Sequence, residues 1–482
     1  MTFEWIGLAT LIVGLLGLVQ SHRLAITACI AATLLGAAAA SILTALGSAN
    51  LPPAHVLLGF LMLIALRRPF AGRILEAYAW PQPGFWLLMT GLYATLAAVF
   101  MPRLFAGTSY VFTIARTDLG PGLLLTQLAP VSGNLSQTAY FVADVLCFGV
   151  FYAFARDRKC HGWIVQAILI GGCLNIAFAA LDYATFFTGT ADFLAFMRNA
   201  TYRMLDTAEV VGFKRLVGSF PEASAFATAT LTFFAFTFSL WLDGYRSRIV
   251  GGLSLLLFLA LVASTSTTAY AGLSVYLALV YLGSLGLLLY GRVGPARLAF
   301  LAFSPIVALI LVGTINLHDT LTASISDILQ QLIFMKGSTA SAMERASWNS
   351  QALINFYDSY GLGVGPGSAR ASNIVIATLA TIGIFGAFTY ATFLVTCLVA
   401  PRFERDPDRR IVRKAAASAC AALFISGCIA GTTIDLGLLF FICAALAATP
   451  VDLEAPAQGP VRLAVARRPV LPQRAHGPAS PA

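Results

Sequence analysis

The chain reads as an all-α, polytopic transmembrane helical bundle, and three observations carry that reading. Hydrophobic residues make up 59% of the 482 and charged residues only 11%, whereas a soluble domain carries about 25% charge. Apolar stretches near the length a bilayer requires, about 20 residues, recur along the chain. Arginine and lysine alternate between richer and poorer loops, as the positive-inside rule describes. The formal charge of +9 is concentrated in short basic loops, so no nucleic-acid partner is needed to explain it.

About thirteen spans are expected, centred on 3–20, 24–46, 51–66, 84–101, 138–155, 162–182, 223–242, 249–263, 269–290, 298–315, 373–400, 412–431 and 434–449. The third, eighth and last are short, which leaves 12–13 as the working number. One set of alternate loops holds 17 basic residues, among them Arg67, Arg68, Arg73, Arg297 and Lys414, and the other set holds nine. This bias places the first set and residues 450–482, a Pro-, Ala- and Arg-rich disordered tail, in the cytoplasm. The N-terminus is then expected outside, and the first 20 residues to form a retained helix, with no basic n-region or A-x-A site. Residues 1–449 form the bundle, with outside loops at 102–137, 188–222 and 316–372. The excess of arginine over lysine and the abundant alanine suggest a GC-rich bacterial source.

The cysteines number eight, show no CxxC pair and mostly fall inside spans. They read as small apolar fillers, not metal ligands or a disulfide framework. His22 and His55 lie at helix ends and read as hydrogen-bonding residues. Asp144 and Asp182 sit inside spans near their outer ends. A carboxylate there costs roughly 2.5–3.5 kcal/mol on insertion scales, so each either faces a polar cavity or bonds a neighbour such as Asn175.

The nine off-bias cations cluster on one side. In the second outside loop, RNATYRMLDTAEVVGFKRLVGSFPEAS brings Arg198, Arg203, Lys214 and Arg215 together, with an amphipathic helix expected over 200–210. Pro221 suits a first helical turn and Ser219 a cap. Glu222, at the mouth of the next span, is either a partner for the helix dipole or an acid of the site. The STSTT turn at 264–268 suits sugar hydroxyls and helix capping equally.

The large outside loop contains a helix expected over Ser341–Tyr357, on which Arg345, Trp348 and Ala352 share a face. GLGVGPGS follows, then Arg370 and Ser372-Asn373. Glycines such as Gly363 and Gly365 allow positive φ and can present backbone N–H groups to an anion, while arginine matches phosphate oxygens. An anion site at a membrane surface is expected, the alternative being a flexible loop with solvated charges. GLGVGPG follows a helix, not a strand, so it is no dinucleotide fingerprint, and no P-loop, HExxH, DxD or GxSxG occurs.

Four pieces in order, KRLVGSFPEASAFA, STSTTAYAGL, ERASWNSQALINFYDSYGLGVGPG and SNIVIATLATIGIFG, resemble the bacterial O-antigen polymerase and ligase superfamily of integral-membrane glycosyltransferases. The resemblance covers about Lys214 to Tyr390. It implies a GT-C-like fold with a large helical periplasmic loop, in the bacterial inner membrane. It implies inverting, metal-independent and cofactor-free transfer of a glycan from undecaprenyl pyrophosphate to a sugar hydroxyl at the periplasmic face. Implied partners are the lipid-linked glycans, membrane lipids, a chain-length regulator and a flippase. By position Arg215 and Arg345 match the family's arginines, Arg370 is a third match, and Glu222 is the first candidate for assisting the acceptor hydroxyl, followed by Glu344, Asp358 and His318. Lys214, Arg203, Gly363, Gly365, Trp348 and Asn373 complete the expected binding set. Ser372-Asn373 stands where ligases carry His-Asn, which favours a repeat-unit polymerase for O-antigen, capsule or exopolysaccharide. Ligation of finished glycan to lipid A core or protein, and flipping of lipid-linked sugars, are the alternatives.

Overall fold

The computed structural model describes residues 2–44, 48–117, 120–201, 204–205, 209–210, 213–291, 293–317, 340–399 and 406–449. Within these, helices dominate. In order they are α1 (Trp5–Val19), α2 (His22–Ala32), α3 (Pro53–Ala65), α4 (Phe70–Ala77), α5 (Pro83–Leu104), α6 (Ser132–Arg156), α7 (Arg158–Phe187), α8 (Ala223–Leu242), α9 (Ser247–Ala263), α10 (Thr267–Leu289), α11 (Pro295–Leu317), α12 (Ala340–Asp358), α13 (Ile374–Leu398), α14 (Pro407–Ala430) and α15 (Leu438–Ala448). Seven of them (α5, α6, α7, α8, α10, α13 and α14) are long and apolar enough to cross a membrane. The α3–α4 pair, bent by 114°, makes an eighth if taken as one broken span.

Five shorter apolar helices lie within α1, α2, α9, α11 and α15, and one of the 12–13 expected spans differs from its expectation. The segment 24–46 is no continuous helix: α2 ends at Ala32, and Ser41–Leu43 (β2) pairs antiparallel with Thr2–Phe3 (β1) and Ala49–Leu51 (β3). Between them the alanine-rich run docks its backbone on the second loop. Ala37 N–H donates to the Ser219 carbonyl and Ala200 N–H to that of Ala37. The Asn199 side chain both accepts from Ala39 N–H and donates to its carbonyl. Methyl side chains allow that close approach. Two further ribbons lie between helices: a hairpin of Tyr110–Thr117 (β4) and Gly120–Gln127 (β5), and the short pair Glu209–Val210 (β6) and Phe213–Lys214 (β7). The β6 strand stands where an amphipathic helix was expected over 200–210.

The core is aromatic. Helix α8 buries Phe226, Phe233, Phe234 and Phe236 against α9 and α14. Every residue of α15 is buried, as expected of a helix that is apolar all round. It packs on α6 and α14. At 11 residues it is roughly 16 Å long at 1.5 Å per residue, half a membrane span. Its C-terminal end is fixed where Arg413, near the start of α14, donates to the Thr449 carbonyl. At the same end Asp243, capping α8, pairs with Arg297 and Lys414. The segment from Gly431 to Gly437 therefore connects the far end of α14 to a helix that begins deep in the bundle. Non-helical backbone at such depth is tolerated where it is buried in protein or lines a cavity, and this segment lines one.

Helix α13 is also broken. Gly383 adopts φ 60°, ψ −164°, and the glycine-rich run fills the gap. Val364 and Gly365 N–H groups donate to the Ala380 and Thr381 carbonyls, and Ile384 N–H donates to that of Gly361.

Candidate functional site

The site lies at the end of the bundle where α8 and α13 begin and α14 finishes. The extended chain after β7 carries Arg215 and leads through Gly218 to Glu222, the N-cap of α8. What fixes this stretch is Asp182 of α7. Its carboxylate accepts from Val217 and Gly218 N–H at 3.0 and 3.2 Å, and pairs with Arg198 at 2.6 Å and Lys214 at 3.3 Å. Asp182 is only 2% exposed and Lys214 5%. Ser219 adds a bond to the Leu34 carbonyl at 2.6 Å. Lys214, expected to bind substrate, is therefore buried in a structural ion cluster and lies over the Phe186 ring. Asp182 holds the loop and does not face a cavity.

Its neighbour Arg215 belongs to a different cluster. Burial pushes the Arg215 guanidinium below its ordinary value, the Glu222 carboxylate opposes that, and Arg345 adds to it. Burial likewise lowers Arg370, opposed first by Glu222 and then by Glu344. Glu222 thus lies near enough to act on both Arg215 and Arg370, with Arg345 acting on the first and Glu344 on the second, and arginine stays charged at neutral pH throughout. Helix α12 supplies Arg345 and Trp348. It is held by Gln351 and Asn355, whose amides donate to the Tyr110 carbonyl at the start of the β4–β5 hairpin, and by Ala352 packing near Ala377 and Ala380 of α13. The shared face of Arg345, Trp348 and Ala352 expected from spacing is the one that docks.

Arg370 lies over the Trp348 ring at 5.4 Å, a cation–π contact. Among the described residues, Arg215 Nε, Arg370 Nε and Trp348 Nε1 are buried and have no hydrogen-bond partner. An unmade buried donor costs about 1–3 kcal/mol, so three at one place mark a surface shaped for acceptor oxygens. Glu222 makes no side-chain cap bond; it accepts from the Ser224 hydroxyl.

Other expected members have other partners. Gly363 N–H donates to Ser359 Oγ and Gly365 N–H to the break in α13, so this glycine run is a plug and not an anion cradle. A Cβ at Gly363 would stand 2.6 Å from the Thr381 carbonyl, which explains why glycine is needed. Asn373 caps α13, accepting from Val375 and Ile376 N–H, and donates to the Cys428 carbonyl. Arg203, His318 and the 450–482 tail lie outside the described residues.

Below Glu222 opens a cavity of about 420 Å³. Glu222, Ser224 and Thr228 line one wall, and the Ser426–Leu439 stretch, with Thr432, Thr433 and Asp435, lines another. His55 also lines it, its ring 5.4 Å from that of Tyr140. Asp435 accepts from Gly437 N–H at 2.6 Å. His55 was expected as a hydrogen-bonding residue at a helix end, and Tyr270, a neutral phenol near Arg215, was not singled out. No local motif marks these residues; only the broken α14–α15 connection brings them to the site. Among the described residues, no three His, Cys, Asp or Glu side chains group as a metal site. No protein-family model matches the chain, and no curated protein matches it in sequence.

Proposed function

We propose that this chain is a membrane glycosyltransferase that joins undecaprenyl-pyrophosphate-linked oligosaccharide repeat units into polysaccharide at the periplasmic face. The observation that carries the reading is the grouping of Arg215, Arg345 and Arg370 around Glu222, with buried, unpartnered N–H groups on two of the arginines and on Trp348. A pyrophosphate offers the oxygens those donors lack. As the acceptor hydroxyl oxygen attacks the anomeric carbon, the bond from that carbon to the pyrophosphate oxygen breaks and its electron pair leaves with the phosphate. The arginines meet the charge that develops there, the condition under which electrostatic groups lower a barrier. Glu222 accepts the proton of the attacking hydroxyl. Its position favours this role over that of a dipole partner alone, because it makes no bond to the backbone of its own helix.

The test is deletion of the gene with analysis of lipid-linked and surface glycans by gel and mass spectrometry. Loss of long polymer, with single repeats left on the carrier, is the expected result. Long polymer retained on the carrier would instead establish a ligase. A second reading, transport of lipid-linked sugar, draws on the breaks at Gly383 and between α14 and α15, since interrupted helices bind substrate in transporters. Arg345→Ala separates the two. Under the polymerase reading, repeat units reach the periplasmic leaflet and stop there; under transport they stay in the cytoplasmic leaflet.

A further inference from the structure

The cavity below Glu222 differs in kind from the arginine cluster above it. Among the described residues, no lysine or arginine lines it. Its polar groups are the carboxylates of Glu222 and Asp435, the His55 ring, and the hydroxyls of Thr33, Ser224, Thr228, Ser426, Thr432 and Thr433. Two of these point to a ligand. Ser426, 1% exposed, has a buried Oγ with no partner among the described residues, and both His55 ring nitrogens are buried and unpartnered as well. The volume, about 420 Å³, falls in the range of roughly 300–1,000 Å³ typical of small-molecule sites. A lining that alternates hydroxyls, carboxylates and an aromatic ring (Phe220) with alanine and leucine suits a ligand that is polar at its edge and apolar on its face. A pyranose ring has that character.

Resting on the glycosyltransferase reading, we infer that this cavity is the acceptor-sugar subsite and that it selects acceptors without an acidic group. Glu222 belongs to both compartments: it acts on Arg215 and Arg370 on one side and lines the cavity on the other. A hydroxyl of a sugar held below it faces the carboxylate that would take its proton and the anomeric carbon held by the arginines. Phosphate-bearing or uronic-acid rings meet Asp435, which no lysine or arginine among the described lining residues offsets, and like charges held close together repel. Neutral and amino sugars do not.

The experiment uses the full-length protein in lipid nanodiscs and saturation-transfer difference NMR with three probes at millimolar concentration: methyl glucoside, glucosamine and glucuronate. Signal from the first two and none from glucuronate is the expected result. Ser426→Ala and Thr228→Met, one removing a hydroxyl and one intruding on the space, should abolish the signal, while thermal unfolding midpoints show that the variants are folded. Asp435→Asn should admit glucuronate. Farnesyl pyrophosphate, added in parallel, reports the arginine cluster. If it binds and is lost in Arg345→Ala while no sugar binds, or while sugar signal persists in both cavity variants, the subsite is wrong and the glycosyltransferase reading stands. Glucuronate binding as well as methyl glucoside overturns the selectivity. Failure of farnesyl pyrophosphate to bind counts against the glycosyltransferase reading itself, whatever the sugars do.

Discussion

Lys214 and Arg215 are adjacent in the chain and belong to opposite kinds of cluster. Lys214 turns into the bundle, where Asp182 accepts from Arg198, Lys214 and two backbone N–H groups. Arg215 turns to Glu222, Arg345 and Arg370, where no ion pair within 4 Å joins the charges among the described residues and donors are left over. In the first cluster both cations are paired with the carboxylate, at 2.6 and 3.3 Å, and it is closed. The second contains more donors than acceptors and is open. Composition cannot separate them, since each is a carboxylate among cations. What separates them is whether the protein pairs the cations with a carboxylate within ion-pair distance, and that difference distinguishes a structural ion cluster from a binding site.

The largest expected effect comes from opening the closed cluster. Asp182→Ala leaves Arg198 and Lys214 buried without their carboxylate and takes the acceptor from Val217 and Gly218. Breaking a buried pair in this way costs about 3–5 kcal/mol, and the thermal unfolding midpoint should fall sharply. Glu222→Gln is the contrasting substitution. Its stability should stay within about 0.5 kcal/mol of the parent, as for changes that touch no closed network, while chain growth is lost. Equal thermal shifts in the two variants would erase the distinction drawn between the clusters.

Next in size is Arg345→Ala. Removing one donor aimed at developing charge typically costs 10²–10³ in turnover, or about 2.7–4 kcal/mol. Polymer formation by reconstituted protein should fall by that factor with the unfolding midpoint unchanged. A variant that instead melts early would place Arg345 among the structural cations with Arg198.

Much of this was legible in the sequence, and the exceptions have physical causes. The boundaries of α8, α10 and α13 follow from long apolar runs bounded by polar residues. Arg215, Arg345 and Arg370 could be singled out because cations in the loops expected to be poor in basic residues break the bias of the other loops, Glu222 because it stands at the mouth of a span, and Trp348 because it shares a helix face with Arg345. The glycine run misled because positive φ serves two ends. A glycine can bare its N–H to an anion or let two backbones touch, and residue type does not say which. Here the touching backbone is Thr381 and Gly383 of the broken α13. The 24–46 segment misled because hydropathy registers alanine as span material, whereas its small size served backbone pairing with residues 199–219. The cavity wall was hidden because it depends on a break between α14 and α15 that looks like an ordinary turn.

Gly363→Ala tests the plug. The residue has φ +83° and its new Cβ would lie 2.6 Å from backbone atoms of Thr381. Backbone held in so unfavourable a region costs of order 1–3 kcal/mol, and the clash adds to that. A fall in the unfolding midpoint is expected, and binding of farnesyl pyrophosphate at temperatures well below that midpoint should be retained. An anion cradle would give the reverse, with stability kept and binding lost.

The smallest effect, and the finest cut through the comparison, comes from paired substitutions at the two adjacent cations. Lys214→Met removes the weaker of Asp182's two charged partners, the one at 3.3 Å as against 2.6 Å for Arg198. The carboxylate keeps Arg198 and both N–H donors, so no buried charge is left alone and the penalty of a broken pair does not apply. Methionine also retains the apolar stem over Phe186. The expected loss is therefore that of one charge-assisted bond in part replaced by packing, about 1 kcal/mol, with pyrophosphate binding intact. Arg215→Met, one residue on, removes a group that the protein leaves unpaired, so stability should hold or rise slightly as Nε loses its burial cost. Pyrophosphate binding should drop tenfold or more, since a charge-assisted bond is worth roughly 1.5–3 kcal/mol and 1.4 kcal/mol is a factor of ten. Thermal unfolding and titration of farnesyl pyrophosphate on both variants read the two quantities independently. If both variants moved both readouts together, the loop would be a single unit and the division at the Lys214–Arg215 bond would not exist.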